Sequence, residues 1–259
     1  MPAILEVRGL TKTFGAVTAA GDINLDVQED TVVGLIGSNG AGKTTFVNLV
    51  TGYLKPTAGS ILYRGRDITA LSPRQITRMG ICRSFQIPQV FDTLTAYDNL
   101  LVGVGVAARG DGAGASTAFA GLSSEEVVQG MLRRFHLEPY SDAPASALPE
   151  GVRKLLDIAM ALVVKPQILL LDEPTSGVSS DEKFALMDLV LGAIRAEQVT
   201  VLFVEHDMEV VRRYTQRIVA FYEGRVIADG PTAEVLLNPE VRRYVVGEET
   251  PARPREERC

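Results

Sequence analysis

Residues 32–44 read Val-Val-Gly-Leu-Ile-Gly-Ser-Asn-Gly-Ala-Gly-Lys-Thr, an apolar run that passes directly into the pattern GxxxxGK[ST]. No other stretch restricts the fold as tightly. A loop of Gly37, Ser38, Asn39, Gly40, Ala41 and Gly42 can wrap closely round a polyphosphate with its N–H groups turned inward, because its glycines carry no Cβ. Lys43 can then reach the β- and γ-phosphates, and the hydroxyl of Thr44 can ligate Mg²⁺. A helix starting near Gly42 adds the positive end of its dipole. Ordinary residue frequencies produce such a match by accident in about one chain of this length in a hundred. The strand before it and the amphipathic segment after it lower that further.

The rest of the chain alternates short apolar runs with amphipathic stretches, the pattern of an α/β layered fold. Strands are expected at 4–7, 23–27, 32–36, 60–63, 81–85, 168–172, 200–204, 218–222 and 226–229. Helices are expected to begin near Gly42, Pro73, Ala96, Ser124, Pro149, Ser180, Asp207 and Thr232. Ser123 precedes Glu126 by three residues, a capping box, and Glu223-Gly224 reads as a tight hairpin turn. The Gly-rich stretch 107–124 is expected to be a mobile loop within a helical region. The charged, Pro-containing 248–259 is expected to be a disordered tail.

Composition excludes several classes. With 26 Lys and Arg against 32 Asp and Glu, the formal net charge is −6, which lacks the positive field of a general nucleic-acid binder. No run approaches the roughly 18 apolar residues of a membrane span, and the N-terminus has neither the basic flank nor the apolar length of a secretion signal. Two cysteines, Cys82 and Cys259, are too few for a disulfide framework or a zinc cluster. A cytosolic protein is expected, linked to a membrane only through a partner.

A phosphate cradle needs a metal partner and a group that activates water. Ile168-Leu-Leu-Leu-Asp172-Glu173 supplies both. An acidic pair ending a buried strand is costly unless it meets a cation or solvent. Asp172 suits the Mg²⁺ shell; Glu173, facing the other way, suits orienting or deprotonating the attacking water. Two further strands end in polar groups, one at Gln86, suited to Mg²⁺ or water, and one at His206, suited to donate to the γ-phosphate. Ligands of open parallel sheets bind at the carboxyl ends of the strands, so these four ends converge on one nucleotide site. Phe14 could stack on a base or serve as core. His136 has no such companions and reads as a solvated helix residue.

This constellation resembles the nucleotide-binding subunit of an ABC transporter: an aromatic A-loop at Phe14, a P-loop from Gly37 to Thr45, a Q-loop at Gln86, the acidic pair Asp172 and Glu173, and a switch histidine at His206. The fragments RSFQIPQVFDTLTAYDNLLVG, VEHDMEVVRRYTQRIVAFYEGRVIADGP and NPEVRRYVVGEE look like the branched-chain amino-acid importer ATPases of the longer, LivG type. The resemblance implies a P-loop NTPase (RecA-like) core with an N-terminal antiparallel β subdomain and an inserted α-helical subdomain. It implies one domain over 1–247, with the core and β subdomain in about 1–86 and 165–247 and the helical part in about 87–164. It implies ATP and Mg²⁺, a head-to-tail dimer with a second ATPase subunit, two transmembrane permease subunits, a periplasmic solute-binding protein, and a place on the cytoplasmic face of the inner membrane. The stretch from Gln86 to Tyr97 and the helical segment up to about Lys165 would face a permease coupling helix.

One departure is informative. The family's signature is LSGGQ-like, with a hydroxyl and glycine amides at a helix N-terminus aimed at the opposing γ-phosphate. Here Leu148 is followed by Pro149, Glu150, Gly151 and Val152. Proline and glutamate suit a first helical turn, but Pro149 has no N–H, the hydroxyl is gone, and a carboxylate repels phosphate unless Arg153 or Lys154 offsets it. Ser179 also stands where the family usually places Asp or Asn. The expectation is a heterodimer with one strong and one weak ATP site. The alternatives are a non-hydrolysing regulatory subunit, against which Glu173 and His206 argue, or an ABC ATPase outside transport. The latter usually fuses two cassettes. A stand-alone kinase or GTPase would need an acceptor site or a guanine-reading NKxD motif, and neither is found.

Overall fold

The computed structural model describes residues 3–108, 119 and 121–247. The expected tail, 248–259, and most of the expected loop, 109–118 and 120, lie outside the described residues. Ala107 and Ala108 close a helix instead of opening that loop.

Four strands form an antiparallel sheet in the order β2-β1-β4-β5: β1 (Ala3–Phe14), β2 (Val17–Gln28), β4 (Ala58–Tyr63) and β5 (Arg66–Asp67). Six more form a second sheet in the order β10-β9-β3-β8-β7-β6: β3 (Val32–Gly37), β6 (Ile81–Ser84), β7 (Ile168–Asp172), β8 (Thr200–Val204), β9 (Arg217–Tyr222) and β10 (Arg225–Pro231). All pairs in the second sheet are parallel except β9 with β10. That hairpin turns on Glu223 and Gly224, both at positive φ (47° and 77°), as a two-residue type I′ turn requires.

The larger sheet is the middle layer, and its continuous apolar runs follow from being covered on both faces. Successive side chains point to opposite faces. Ile168 and Leu170 therefore join a core with the antiparallel sheet and helix α1 (Lys43–Val50), through Phe46 and Val47. Leu169 and Leu171 join a second core on the other face. That face is covered by helices. After α2 (Pro73–Arg78) come α3 (Ala96–Ala108), α4 (Ser124–Arg134), α5 (Glu150–Val163), α6 (Lys183–Ala196) and α7 (Met208–Tyr214). The chain then adds α8 (Thr232–Val235), α9 (Pro239–Val241) and a π-helical turn, Arg242–Val246.

Several elements differ from the sequence expectation. β1 and β2 are each 12 residues long, far beyond 4–7 and 23–27. Their register shifts at four places, and Gly9 takes φ 57°, so the alternation that marks a strand is broken along its length. Helix α6 starts at Lys183, with Glu182 at its N-cap, not near Ser180. β6 ends at Ser84, one residue early, and the two-residue β5 carried no pattern to read. His136 is not in a helix; it follows the end of α4 at φ 52°, exposed. The Ser123–Glu126 capping box forms as expected, with Glu126 N–H donating to Ser123 Oγ at 3.2 Å and Ser123 N–H to Glu126 Oε2 at 2.6 Å.

Candidate functional site

The loop after β3 folds into the tight turn its glycines allow. A Cβ at Gly37 would lie 2.5 Å from the carbonyl oxygen of Phe221, and Gly42, the N-cap of α1 at φ 103°, would place one 2.7 Å from that of Ala19. Neither position admits a side chain. Lys43 Nζ donates to the Gly37 and Ser38 carbonyls of its own loop at 2.6 and 3.1 Å. Burial lowers its pKa, against the opposing pull of Glu173 and Asp172. A cleft of about 680 Å³ opens here, lined by Gly37 to Thr45, Gln86, Glu173, His206, Ala19 and Val245, within the size range of small-molecule sites.

The strand ends deliver their polar groups according to the same alternation. On β6, Ile81 and Arg83 point toward α1, whereas Cys82 and Ser84 point toward α5. Arg83 accordingly pairs with Asp172 Oδ2 and donates to Asn48 Oδ1 on α1 at 2.6 Å. One oxygen of Asp172 is thus taken by a cation already present. Ser84 Oγ donates to Asp157 Oδ2 on α5 at 2.7 Å, and the Gln89 N–H donates to Asp157 Oδ1 at 2.9 Å, so one buried carboxylate anchors the Gln86 loop. Burial pushes the pKa of Asp157 up. Past the end of β7 the chain turns sharply at Glu173, φ 49°. Glu173 Oε2 accepts from Gln86 Nε2 at 2.8 Å, and Glu173 Oε1 lies 4.0 Å from His206 Nδ1. The His206 side chain is 64% exposed and the Glu173 side chain 21%.

A family model described as "ABC transporter" matches residues 20–176. The chain is 36% identical over 250 residues to a high-affinity branched-chain amino acid transport ATP-binding protein, LivG, of Salmonella typhimurium, covering 95% of this chain and 98% of that protein. The chain belongs to the ABC transporter family. Among solved structures it is similar to the ADP conformation of MJ1267, an ATP-binding cassette of an ABC transporter (TM-score 0.81, 30% identity, covering 96% of this chain and 100% of that one). It is also similar to the dimeric post-hydrolysis state of the ATP-binding cassette MJ0796 with ADP and Pi (TM-score 0.74, 26% identity, 88% and 98% covered). This ABC protein is an ATPase whose hydrolysis is coupled to transport.

The start of α5, expected from the sequence to be an altered signature, has a definite geometry. Pro149 is the N-cap of α5 with no side-chain cap bond. The Glu150 carboxylate folds back over the turn after β7, where a Cβ on Gly177 would come within 2.1 Å of Glu150 Oε1. Arg153 is engaged elsewhere, with Asp92 Oδ1 at 2.5 Å. Lys154 Nζ donates to the Glu173 carbonyl at 3.2 Å and to the Ser176 carbonyl. Burial lowers the pKa of Lys154, opposed by Glu150, Glu205, Glu173 and Asp157.

Phe14 stands apart. It ends β1 beside the β1–β2 turn, 50% exposed, with Lys12 Nζ 5.1 Å from its ring centroid, and it does not line the cleft. The apolar lining comes from Ala19 and Val245, neither of which sequence reasoning singled out. Val245 lies on the π-helical turn, which is tied to the sheet by Tyr244 stacking on Tyr222 at 4.5 Å. Arg83, Asn48 and Asp157 were missed as well. An arginine inside a strand ending at the site is a usable signal, since a buried guanidinium needs a carboxylate.

Proposed function

We propose that this chain is the ATP-hydrolysing subunit of an importer for small polar solutes, branched-chain amino acids or a related small molecule. The observation that carries the reading is one cleft lined by the P-loop, Gln86, Glu173 and His206. In this reading the loop amides and Lys43 hold the phosphates of ATP. Glu173, steadied by Gln86, orients and deprotonates the attacking water, and His206 donates to the γ-phosphate. Thr44, Gln86 and the free oxygen of Asp172 offer hard oxygen donors for Mg²⁺, which neutralises phosphate charge when bound. The chain works as one domain over 1–247, its helical part at 87–164. The name of the LivG relative supports the solute class.

The proposed assembly is two ATPase subunits closing head to tail over two ATP molecules, with two permeases and, indirectly, a periplasmic binding protein. Because the Pro149–Val152 signature serves the partner's P-loop, the pair is a heterodimer with one strong and one weak site. The described helices include none long and apolar enough to cross a membrane; in the proposed assembly the permeases hold the chain at the cytoplasmic face. A groove of about 170 Å³ lined by Tyr53, Phe85, Met160 and Val164, with Ile87 and Phe91 exposed on the chain that follows Phe85, supports docking of a coupling helix. The test is ATPase activity of the complex in vesicles with binding protein inside. Stimulation by branched-chain amino acids is expected. A complex that answers only to unrelated solutes would overturn the solute class, and one whose ATPase ignores every solute would overturn the importer reading.

A further inference from the structure

Glu205 follows β8 directly and is fully buried. Its parity along the strand, shared with Val201 and Phe203, turns it toward the helical face. Four donors meet it there. Oε1 accepts from the Thr175 N–H at 3.1 Å and from Thr175 Oγ1 at 2.5 Å. Oε2 accepts from the His206 N–H at 3.1 Å and the Asp207 N–H at 3.4 Å. One oxygen therefore grips the loop that carries Glu173, and the other grips the loop that carries His206. A buried acidic side chain without a contacting cation is costly, and full satisfaction by donors is what makes it tolerable.

We propose that Glu205 is a positioning residue for hydrolysis, holding the Glu173 loop and the His206 loop at a fixed separation across the phosphate cleft. The inference rests on Glu173 and His206 acting as proposed above. Glu205 itself lines no part of the cleft, so it acts through the two loops. The Glu173 loop is also held by Lys154 of α5, which donates to the Glu173 and Ser176 carbonyls. With Lys154 and Glu205 both in place, the turn from 173 to 176 has little room to shift. Moving a reacting group by about 1 Å can cost on the order of a hundredfold in rate.

The experiment compares Glu205→Gln, Thr175→Val and their combination in the assembled transporter, reading kcat and KM for MgATP per folded molecule. Glutamine keeps the shape but turns an NH₂ group toward backbone N–H donors. The expected result is kcat reduced by about tenfold or more in Glu205→Gln with KM changed by less than about twofold. A smaller fall is expected in Thr175→Val, which removes one of the four donors, and the double variant should fall at least as far as Glu205→Gln alone. Thr215→Val, which removes a buried hydroxyl pair with Thr232, controls for loss of stability and should keep its kcat. Wild-type kcat in Glu205→Gln overturns the proposal. If Glu205→Gln does not fold, Thr175→Val decides: lowered kcat at constant KM supports it, and unchanged kcat overturns it. Glu173→Gln and His206→Ala run in parallel. If those two retain turnover, the reading of the cleft falls with the proposal; if they lose it while Glu205→Gln does not, only the proposal falls.

Discussion

The phosphate cleft and the start of α5 are built to different standards in the same chain. At the cleft, glycines stand where a side chain would collide with backbone, Lys43 lies against its loop, and Gln86, Glu173 and His206 close in from three strand ends. At α5, the first turn offers a proline, a carboxylate folded onto Gly177, and no hydroxyl. In the proposed reading the first region serves this subunit's own ATP. In the proposed pair the second serves its mate's. Under that proposal the difference teaches that one polypeptide carries a strong half-site and a weak half-site together, and that activity would belong to the pair and not to the fold.

The largest effect should come from breaking the stronger region. Lys43→Ala removes charge-assisted bonds to phosphate, each worth about 2–3 kcal/mol, and should weaken ATP binding roughly 30- to 140-fold by equilibrium titration. The same lysine gives the pH dependence. Its pKa lies below 10.5 through burial, so as pH rises its charge is lost before that of an ordinary lysine. Affinity should fall on the alkaline side below 10.5, with proton uptake on binding there, and the fall should vanish in Lys43→Ala.

Repairing the weaker region should give a smaller, opposite change. Pro149→Ser with Glu150→Gly restores a hydroxyl and a glycine, and should raise turnover at the partner's site by roughly tenfold, since single transition-state donors are worth about that or more. Serine is a preferred N-cap, and its gain offsets the helix propensity and dipole interaction lost with Glu150, so a thermal melt should shift little. The smallest effect is expected at Phe14. Because its ring lies outside the cleft lining, Phe14→Ala should weaken ATP binding by less than about threefold, which is under about 0.7 kcal/mol. A tenfold loss would return Phe14 to the base site and displace Ala19 and Val245.

Much of this was legible before any coordinates. GSNGAGKT after an apolar strand forces the loop, and ILLLDE forces a two-sided strand ending in acid, because each signal is local. The hairpin at Glu223-Gly224 and the capping box at Ser123 are local too. What escaped depended on which strands become neighbours. Arg83 finds Asp172 only because β6 lies beside β7, and Glu205 finds Thr175 only because β8 lies on its other side. Val245 reaches the cleft from some 200 residues downstream of it in the chain. The long strands of the first sheet were hidden by bulges that interrupt a period of two. The fate of Glu150, turned back onto Gly177, follows from the packing of α5 and not from the helix-start preferences of its sequence.

The most direct test of the unequal sites is single-turnover ATP hydrolysis by the assembled pair, with Glu173→Gln in this subunit and, separately, the matching glutamine in its partner. The account predicts that Glu173→Gln abolishes most of the turnover, a loss of about a hundredfold, while the partner's change removes only a minor share. Intact turnover with Glu173→Gln, or equal losses from the two changes, would contradict it.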